Sequence, residues 1–237
     1  KDRAAALAAP FLLGTRALAL GFGYTWGLIK SQPNTAQEHT IDGLNYILKR
    51  AVDIFGGVLG LTITVILWPF IALAIKLDSD GPVIFKQERI GEEGQPFTLF
   101  KFRSMHVNAE EQLVYLVNFD TLPEPVFKQK DDPRLTNVGR ILRRWSLDEL
   151  PQFWNVLKGE MSLVGPRPEE TRFVARYDDW HRRRLAVKPG MTGPMQVNGR
   201  GDLPLDTRVR LDLDYIENYS IWRDITILLQ TIPAVIR

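Results

Sequence analysis

The chain has 237 residues and a mass of 27.1 kDa, enough for one or two domains with a substantial core, which excludes a disordered protein. Hydrophobic residues at 45% and charged ones at 24% are ordinary for a globular protein, and 30 Lys and Arg against 28 Asp and Glu leave a formal charge of +2. That near balance excludes a polycation, so any cationic site must come from local clustering; the absence of cysteine excludes disulfide frameworks, thiolate zinc sites and cysteine nucleophiles, and suits a reducing compartment.

Residues 4 to 29 are rich in Ala, Leu and Gly and read as membrane-seeking, although Arg16 and Pro10 weaken a plain spanning helix; spanning, interfacial and protein-packed readings all stay open. Residues 31 to 45 read as a polar linker. Residues 51 to 75 are apolar apart from Asp53, and as one helix would run about 37 Å at ~1.5 Å per residue, longer than a ~30 Å hydrocarbon core. Hydropathy alone therefore predicts a span. Lys49 and Arg50 on one flank and Lys76 on the other give no orientation bias, and Pro69 removes a backbone donor and clashes with the preceding turn, so a helix, a break and a helix returning to its own face also fits.

From residue 82 the chain changes character. Pro82 to Phe85 and Phe97 to Phe100 read as strands separated by Gly91, Gly94 and Pro96, and residues 106 to 118 and 151 to 158 read as helices. Lys101-Phe102-Arg103 continues the second strand, with Lys101 and Arg103 on one side and Phe100 and Phe102 on the other. Residues 211 to 236 read as an amphipathic helix with Trp222, Ile225, Leu228, Leu229 and Ile232 near one face, set against a membrane surface or a protein core. The fold class expected is α+β, mostly helical with a small sheet.

Arg134, Arg140, Arg143 and Arg144 fall within eleven positions with no acid between Asp132 and Asp148, a local anion-binding patch or a solvated basic face. Asp148 and Glu149 then set two carboxylates against these arginines, and adjacent acids repel unless a cation or a task compensates them. Ser146 and Glu149 have capping-box spacing, but that register would put Pro151 at the fifth helical position, costing about 3 kcal/mol. A helix starting at Pro151 and stopping at Gly159 uses proline well and leaves the acids just ahead of a helix N-terminus, where carboxylate and phosphate are both stabilised. A nucleophilic Asp must be ionised beside phosphate, which requires cations around both.

Arg167, fixed between Pro166 and Pro168, loses little entropy on ordering, although a rigid turn with a surface Arg reads equally well. His181 to Arg184 reads as a solvated or membrane-facing basic cluster, and Lys188 to Pro194 as a turn-rich loop able to close over a ligand. Walker, Rossmann and zincin signatures are absent, and anionic lipid or nucleotide is a better partner than nucleic acid.

These motifs together resemble the bacterial sugar transferases, the monotopic phosphoglycosyl transferases. The resemblance runs from Lys49 to Arg237 through Lys49-Arg50-x-x-Asp53, the apolar segment with Pro69, Gly81 to Gly91, Lys101 to Met105, Asp132 to Thr136, Leu147 to Gln152, Asn155 to Gly159, Val164 to Glu169 and Lys188 to Gly193. It implies transfer of a sugar 1-phosphate from a UDP-sugar donor to a polyprenol phosphate acceptor, releasing UMP and starting a glycoconjugate. The implied location is the bacterial inner membrane, with the catalytic domain on the cytosolic face, bound to membrane lipid and not to nucleic acid, with room for a homodimer.

The resemblance further implies a re-entrant rather than spanning helix broken at Pro69, although Trp68-Pro69 stands where some members carry Ser-Pro. The chain then divides into residues 1–48, an apolar segment and linker, residues 49–80, the re-entrant membrane segment, and residues 81–237, the catalytic domain, with amphipathic interfacial helices. Carried onto this sequence, Asp148 is the nucleophile and Glu149 assists it. Both are candidate ligands of Mg²⁺, the implied cofactor, while Lys101, Arg103, Arg143, Arg144 and Arg167, with Pro166 and Pro168, form the phosphate and nucleotide site. A magnesium-dependent pyrophosphohydrolase and a non-catalytic membrane scaffold are the rival readings.

Overall fold

In the computed structural model, the structure describes residues 41, 43–116, 132–199 and 203–236, all within one compact unit, His39–Arg237. The expectations for residues 4 to 29, and for most of the linker, lie outside the described residues.

The longest element is α1, Gly43–Asp78, 36 residues in a single helix with Pro69 inside it. The expected interruption at Pro69 is corrected here. The proline withdraws one donor from the ladder without ending the helix, because one face is anchored on both sides of it: Lys49, Asp53, Gly57, Gly60 and Thr64 before the proline, and Ile71 and Ile75 after it, are all buried. Spacings of three, four and seven keep them on one stripe. The remaining faces expose large apolar side chains such as Phe55 (75%), Phe70 (71%) and Leu77 (80%). The small residues permit close approach, since a Cβ on Gly60 would stand 2.4 Å from the Phe153 ring.

Polar residues at the start of α1 anchor it. Lys49 Nζ donates to Val164 O at 2.8 Å and pairs with Asp224 Oδ2 at 2.8 Å, and Asp53 Oδ1 accepts from Ser162 Oγ and Leu163 N at 2.9 and 2.8 Å. Arg50 donates to the carbonyls of Val156 and Leu157 at 2.7 and 2.9 Å.

Strands β1, Ile84–Ile90, and β2, Pro96–Phe102, pair antiparallel from Ile84↔Phe102 to Ile90↔Pro96, the first longer than expected from sequence and the second displaced by one residue. Helix α2, Ala109–Leu116, begins three residues later than expected because residues 106 to 108 form a turn closed by Ala109 N to His106 O at 3.1 Å. Helix α3, Asn137–Arg144, is capped by Thr136, whose hydroxyl accepts from Gly139 N at 2.9 Å, and α4, Gln152–Lys158, ends at Gly159 with φ 85°. Strand β3, Ser162–Val164, pairs in parallel with β4, Gly190–Thr192. The expected ligand-closing loop at Lys188 to Pro194 is therefore part of the core. A Cβ on Gly190 would stand 2.1 Å from Gly165 N, so these backbones touch.

Short helices α5, Thr171–Val174, and α6, Asp179–Arg182, connect β3 to β4, and α7, Pro194–Asn198, leads on to α8, Leu205–Glu217, and α9, Ile221–Ile236. The single tail helix expected from 211 to 236 is thus two. Helix α8 buries Val209, Leu213 and Tyr215 in the main core with Val156, Met161 and Val164, whereas on α9 Leu228 packs against that core and Trp222 (73%), Leu229 (63%) and Ile232 (60%) are exposed. A second cluster, Ile71, Ile75, Phe102 and Leu142, seats the far end of α1. The described residues are mostly helical with two small two-stranded sheets, matching the expected class with the strands divided.

Candidate active site

The corner between α3 and α4 carries the acid pair. Ser146 adopts a left-handed conformation, φ 54°, costing about 1–2 kcal/mol for a residue with a Cβ, and makes no side-chain cap. The capping box does not form. Leu147–Glu149 is instead one 3-10 turn, and Pro151 stands at the N-cap of α4 rather than at its first helical position.

Glu149 Oε1 accepts from Lys101 Nζ at 3.0 Å and from Arg167 Nη2 at 3.5 Å. Lys101 arrives from β2, which is fastened to α4 by Asn155: its Oδ1 accepts from Phe100 N at 3.2 Å and its Nδ2 donates to Thr98 O at 2.7 Å. Arg167 arrives from the loop after β3, where Pro166 and Pro168 are buried and Arg167 turns outward. Arg143, on the last turn of α3, donates from Nε to Ser104 Oγ at 3.0 Å. Asp148 itself is 5% exposed.

The two carboxyls are driven apart. Burial raises Asp148 above its ordinary 3.8, and the Glu149 charge adds to the rise, against the lowering effect of Lys101, Arg143 and Arg167. Burial also acts to raise Glu149, but Lys101 and Arg167, by charge and by hydrogen bond, lower it further and leave it at about 2. Glu149 is the fixed anion and Asp148 the perturbed one, the separation of roles that acid pairs at reaction centres display.

Asp148, Glu149, Lys101, Arg143 and Arg167 all line one cavity of about 1150 Å³, together with Arg89, Arg172 and apolar side chains including Phe153, Met191 and Leu228. Arg89 belongs to the cluster although no motif argument singled it out; alternation along β1 was its signal. Of the other arginines expected there, Arg103 and Arg134 also line this cavity with their guanidinium groups engaged by protein partners, whereas Arg140 and Arg144 do not line it. Arg103 follows β2 directly, its N donating to Val83 O at 2.8 Å, and its guanidinium donates to Ser79 O at 2.8 Å, Ile75 O at 3.5 Å and Asp80 O, closing the C-terminus of α1. Arg144 is exposed, over the Trp145 ring at 5.9 Å. Arg134 is buried against Asp132 at 2.6 Å, and Arg140 is a solvated residue of α3.

The basic run at His181 to Arg184, expected on the surface, is divided. Arg184 is 1% exposed and contacts Asp212, Glu169 and Tyr177. No local pattern distinguishes it from Arg182 and Arg183, and its partners lie on other elements.

Comparison with known proteins adds the context. Residues 44–237 match the family model described as bacterial sugar transferase. The chain is 45% identical over 191 residues to the galactosyl transferase CpsE of Streptococcus agalactiae, covering 80% of this chain and 42% of that protein. It is 42% identical over 220 residues to the undecaprenyl-phosphate galactose phosphotransferase of Salmonella typhimurium, covering 91% and 45%, and 39% identical over 191 residues to the exopolysaccharide production protein ExoY of Rhizobium meliloti, covering 79% and 84%. The chain spans less than half the length of the first two.

Proposed function

The chain belongs to the bacterial sugar transferase family, and from that premise we propose that it transfers a sugar 1-phosphate from a UDP-sugar to a polyprenol phosphate at the cytoplasmic membrane face, releasing UMP and initiating glycoconjugate synthesis. The observation that carries this reading is the buried Asp148 beside a Glu149 held by Lys101 and Arg167, in a cavity with room for a nucleotide sugar. The names of relatives, an undecaprenyl-phosphate galactose phosphotransferase and a UDP-glucose:undecaprenyl-phosphate glucose-1-phosphate transferase, supply the substrate classes.

In the reading we favour, a carboxylate oxygen of Asp148 attacks the phosphorus bearing the sugar. The new bond is Asp148 Oδ to phosphorus, and the bond that breaks is from that phosphorus to the bridging oxygen, which leaves with UMP. An oxygen of the lipid phosphate then attacks the same phosphorus, and Asp148 departs as carboxylate. Glu149, already ionised, holds Lys101 and Arg167 in place for the phosphates, and the cations stabilise charge developing on the equatorial oxygens.

Among the described residues no group of three or more acids and histidines forms a self-sufficient metal cage. Magnesium usually takes one or two carboxylates and completes its octahedron with phosphate and water. Two adjacent carboxylates lining one cavity fit that requirement, so Asp148 and Glu149 would hold Mg²⁺, which would neutralise part of the pyrophosphate charge.

For the membrane, one unbroken helix docked on the protein unit along a stripe from Lys49 to Ile75, with apolar residues on its other faces, fits a segment that stays on one side of the bilayer beside the catalytic unit better than one that crosses. A scaffold would gain nothing from desolvating Asp148. The test is UMP release from a panel of UDP-sugars with and without polyprenol phosphate. Acceptor-dependent turnover giving a lipid-linked diphosphate sugar supports the transferase. Free sugar phosphate formed without acceptor would make the protein a hydrolase.

A further inference from the structure

Four consecutive carbonyls in the loop bearing Arg167 are each held from outside the loop. Pro166 O accepts from Gly190 N at 2.8 Å, Arg167 O from Arg184 Nη2 at 3.4 Å, Pro168 O from Arg89 Nη1 at 3.2 Å and Glu169 O from Ile90 N at 2.9 Å. Two of these donors are strand backbone. The other two are arginine side chains, and they differ in what surrounds them. Arg89 lines the site cavity and pairs with Glu170 at 3.1 Å. Arg184 is outside the cavity lining, with its side chain 1% exposed.

The Arg184 guanidinium is divided between two tasks. Its Nη1 donates to Tyr177 OH at 2.8 Å and to Glu169 Oε1 at 3.2 Å, and its Nη2 pairs with Asp212 Oδ2, on α8, at 2.6 Å while also reaching the Arg167 carbonyl. A planar fork is suited to this, because its donors are fixed relative to one another and hold several acceptors without further ordering. Burying a charge so completely is costly, and such clusters seldom raise stability above that of an apolar replacement. Here the cluster fixes one thing that an apolar residue would not: the backbone from which Arg167 projects toward Glu149.

We propose that Arg184 is a positioning residue for the transfer reaction, acting through the Arg167 carbonyl and the Glu169 carboxylate to hold the Arg167 guanidinium at the distance the substrate phosphate requires. Asp212 and Tyr177 are its anchors. The inference rests on the assignment of Arg167 to substrate phosphate made above, and it places a determinant of turnover behind the loop.

A double-mutant cycle tests it. Arg184→Lys retains the buried charge and its pairing with Asp212 but cannot hold all four acceptors, and it is combined with Arg167→Lys. Initial rates of UMP release over a range of UDP-sugar, with melting temperatures, are measured for the wild type, both single variants and the double variant. Expected is a tenfold or greater fall in kcat for Arg184→Lys alone, and less than a threefold further fall when it is added to Arg167→Lys, because the group it positions is already compromised. Equal fold-losses in both backgrounds would overturn the inference and leave Arg184 a stability residue. Unchanged turnover in Arg167→Lys alone would overturn the assignment of Arg167 itself, a separate failure. If Arg184→Lys does not fold, Asp212→Asn removes the anchor in its place, and the same non-additivity is expected.

Discussion

Two ion clusters in this protein use the same residue types and reach opposite electrostatic states. Glu149, paired with Lys101 and Arg167, is left at about 2, whereas Asp212, paired with Arg184 at 2.6 Å, is pushed up to about 6 because burial outweighs its partner. Around Asp212 the Arg184 guanidinium is shared between two carboxylates and a tyrosine, with Arg208 adding a weaker attraction, and the side chains of Arg184 and Asp212 are 1% and 0% exposed. Around Glu149 the cations outnumber the anions, and the Arg167 side chain remains 37% exposed toward a cavity. An ion pair alone therefore does not mark a reaction centre. Cationic capacity left over for an incoming anion, facing space to receive it, does.

The largest effect that would sharpen this contrast is at Asp148. Asp148→Asn should abolish turnover, by about three orders of magnitude or more, since an amide of nearly the same shape is a poor nucleophile. It should also raise the melting temperature, because the variant no longer holds a desolvated acid beside Glu149. A destabilised Asp148→Asn would show instead that the attraction of Lys101, Arg143 and Arg167 outweighs the desolvation of this acid.

Glu149→Gln should act in the other direction on stability. It leaves Lys101, whose side chain is 17% exposed, without its anion, for a loss of about 1–3 kcal/mol by denaturant titration, together with severely reduced UMP release. Next in size is Arg167→Lys, which keeps the charge and loses the fork. A fall of at least tenfold in turnover is expected, about 1.4 kcal/mol in barrier, and near-wild-type rates would return Arg167 to a surface turn.

The smallest effect is in pH dependence. Glu149 titrates in the folded state below its ordinary 4.5, so its stabilising contribution is complete above that value and is lost as pH falls toward about 2. Asp148 is raised above 3.8, so its contribution is present at low pH and is lost as pH rises through its folded-state value. The stability advantage of Asp148→Asn over the wild type should therefore widen as pH is raised from about 4 toward neutrality. Melting curves that stay parallel across that range would contradict the opposed shifts.

The sequence made the acid pair, Lys101, Arg143 and Arg167 legible because each sits in a short motif whose local geometry survives folding: a strand end, a helix end, a corner and a loop braced by two prolines. Arg103 lines the cavity, but its guanidinium is spent on the carbonyls that close α1, a use the strand pattern does not announce. Arg184 was misread because charge runs report solvation only on average, and its burial depends on Asp212 and Glu169, which are distant in sequence. Pro69 has a strong local preference for a break that docking of α1 along its length overrides. The polar and glycine positions Lys49, Asp53, Gly57, Gly60 and Thr64 already formed a stripe on that helix, a pattern that hydropathy averaging conceals.

The central claim, that Asp148 is the nucleophile of a double displacement, is tested most directly by intact-mass measurement of the protein after exposure to UDP-sugar in the absence of any lipid acceptor. The account predicts a mass increase of one sugar phosphate, mapped to the peptide containing Asp148, with equimolar UMP released and no adduct in Asp148→Asn. A fully active protein that shows no adduct, with intersecting rather than parallel initial-rate lines when both substrates are varied, would contradict it and assign the attack to the lipid phosphate itself.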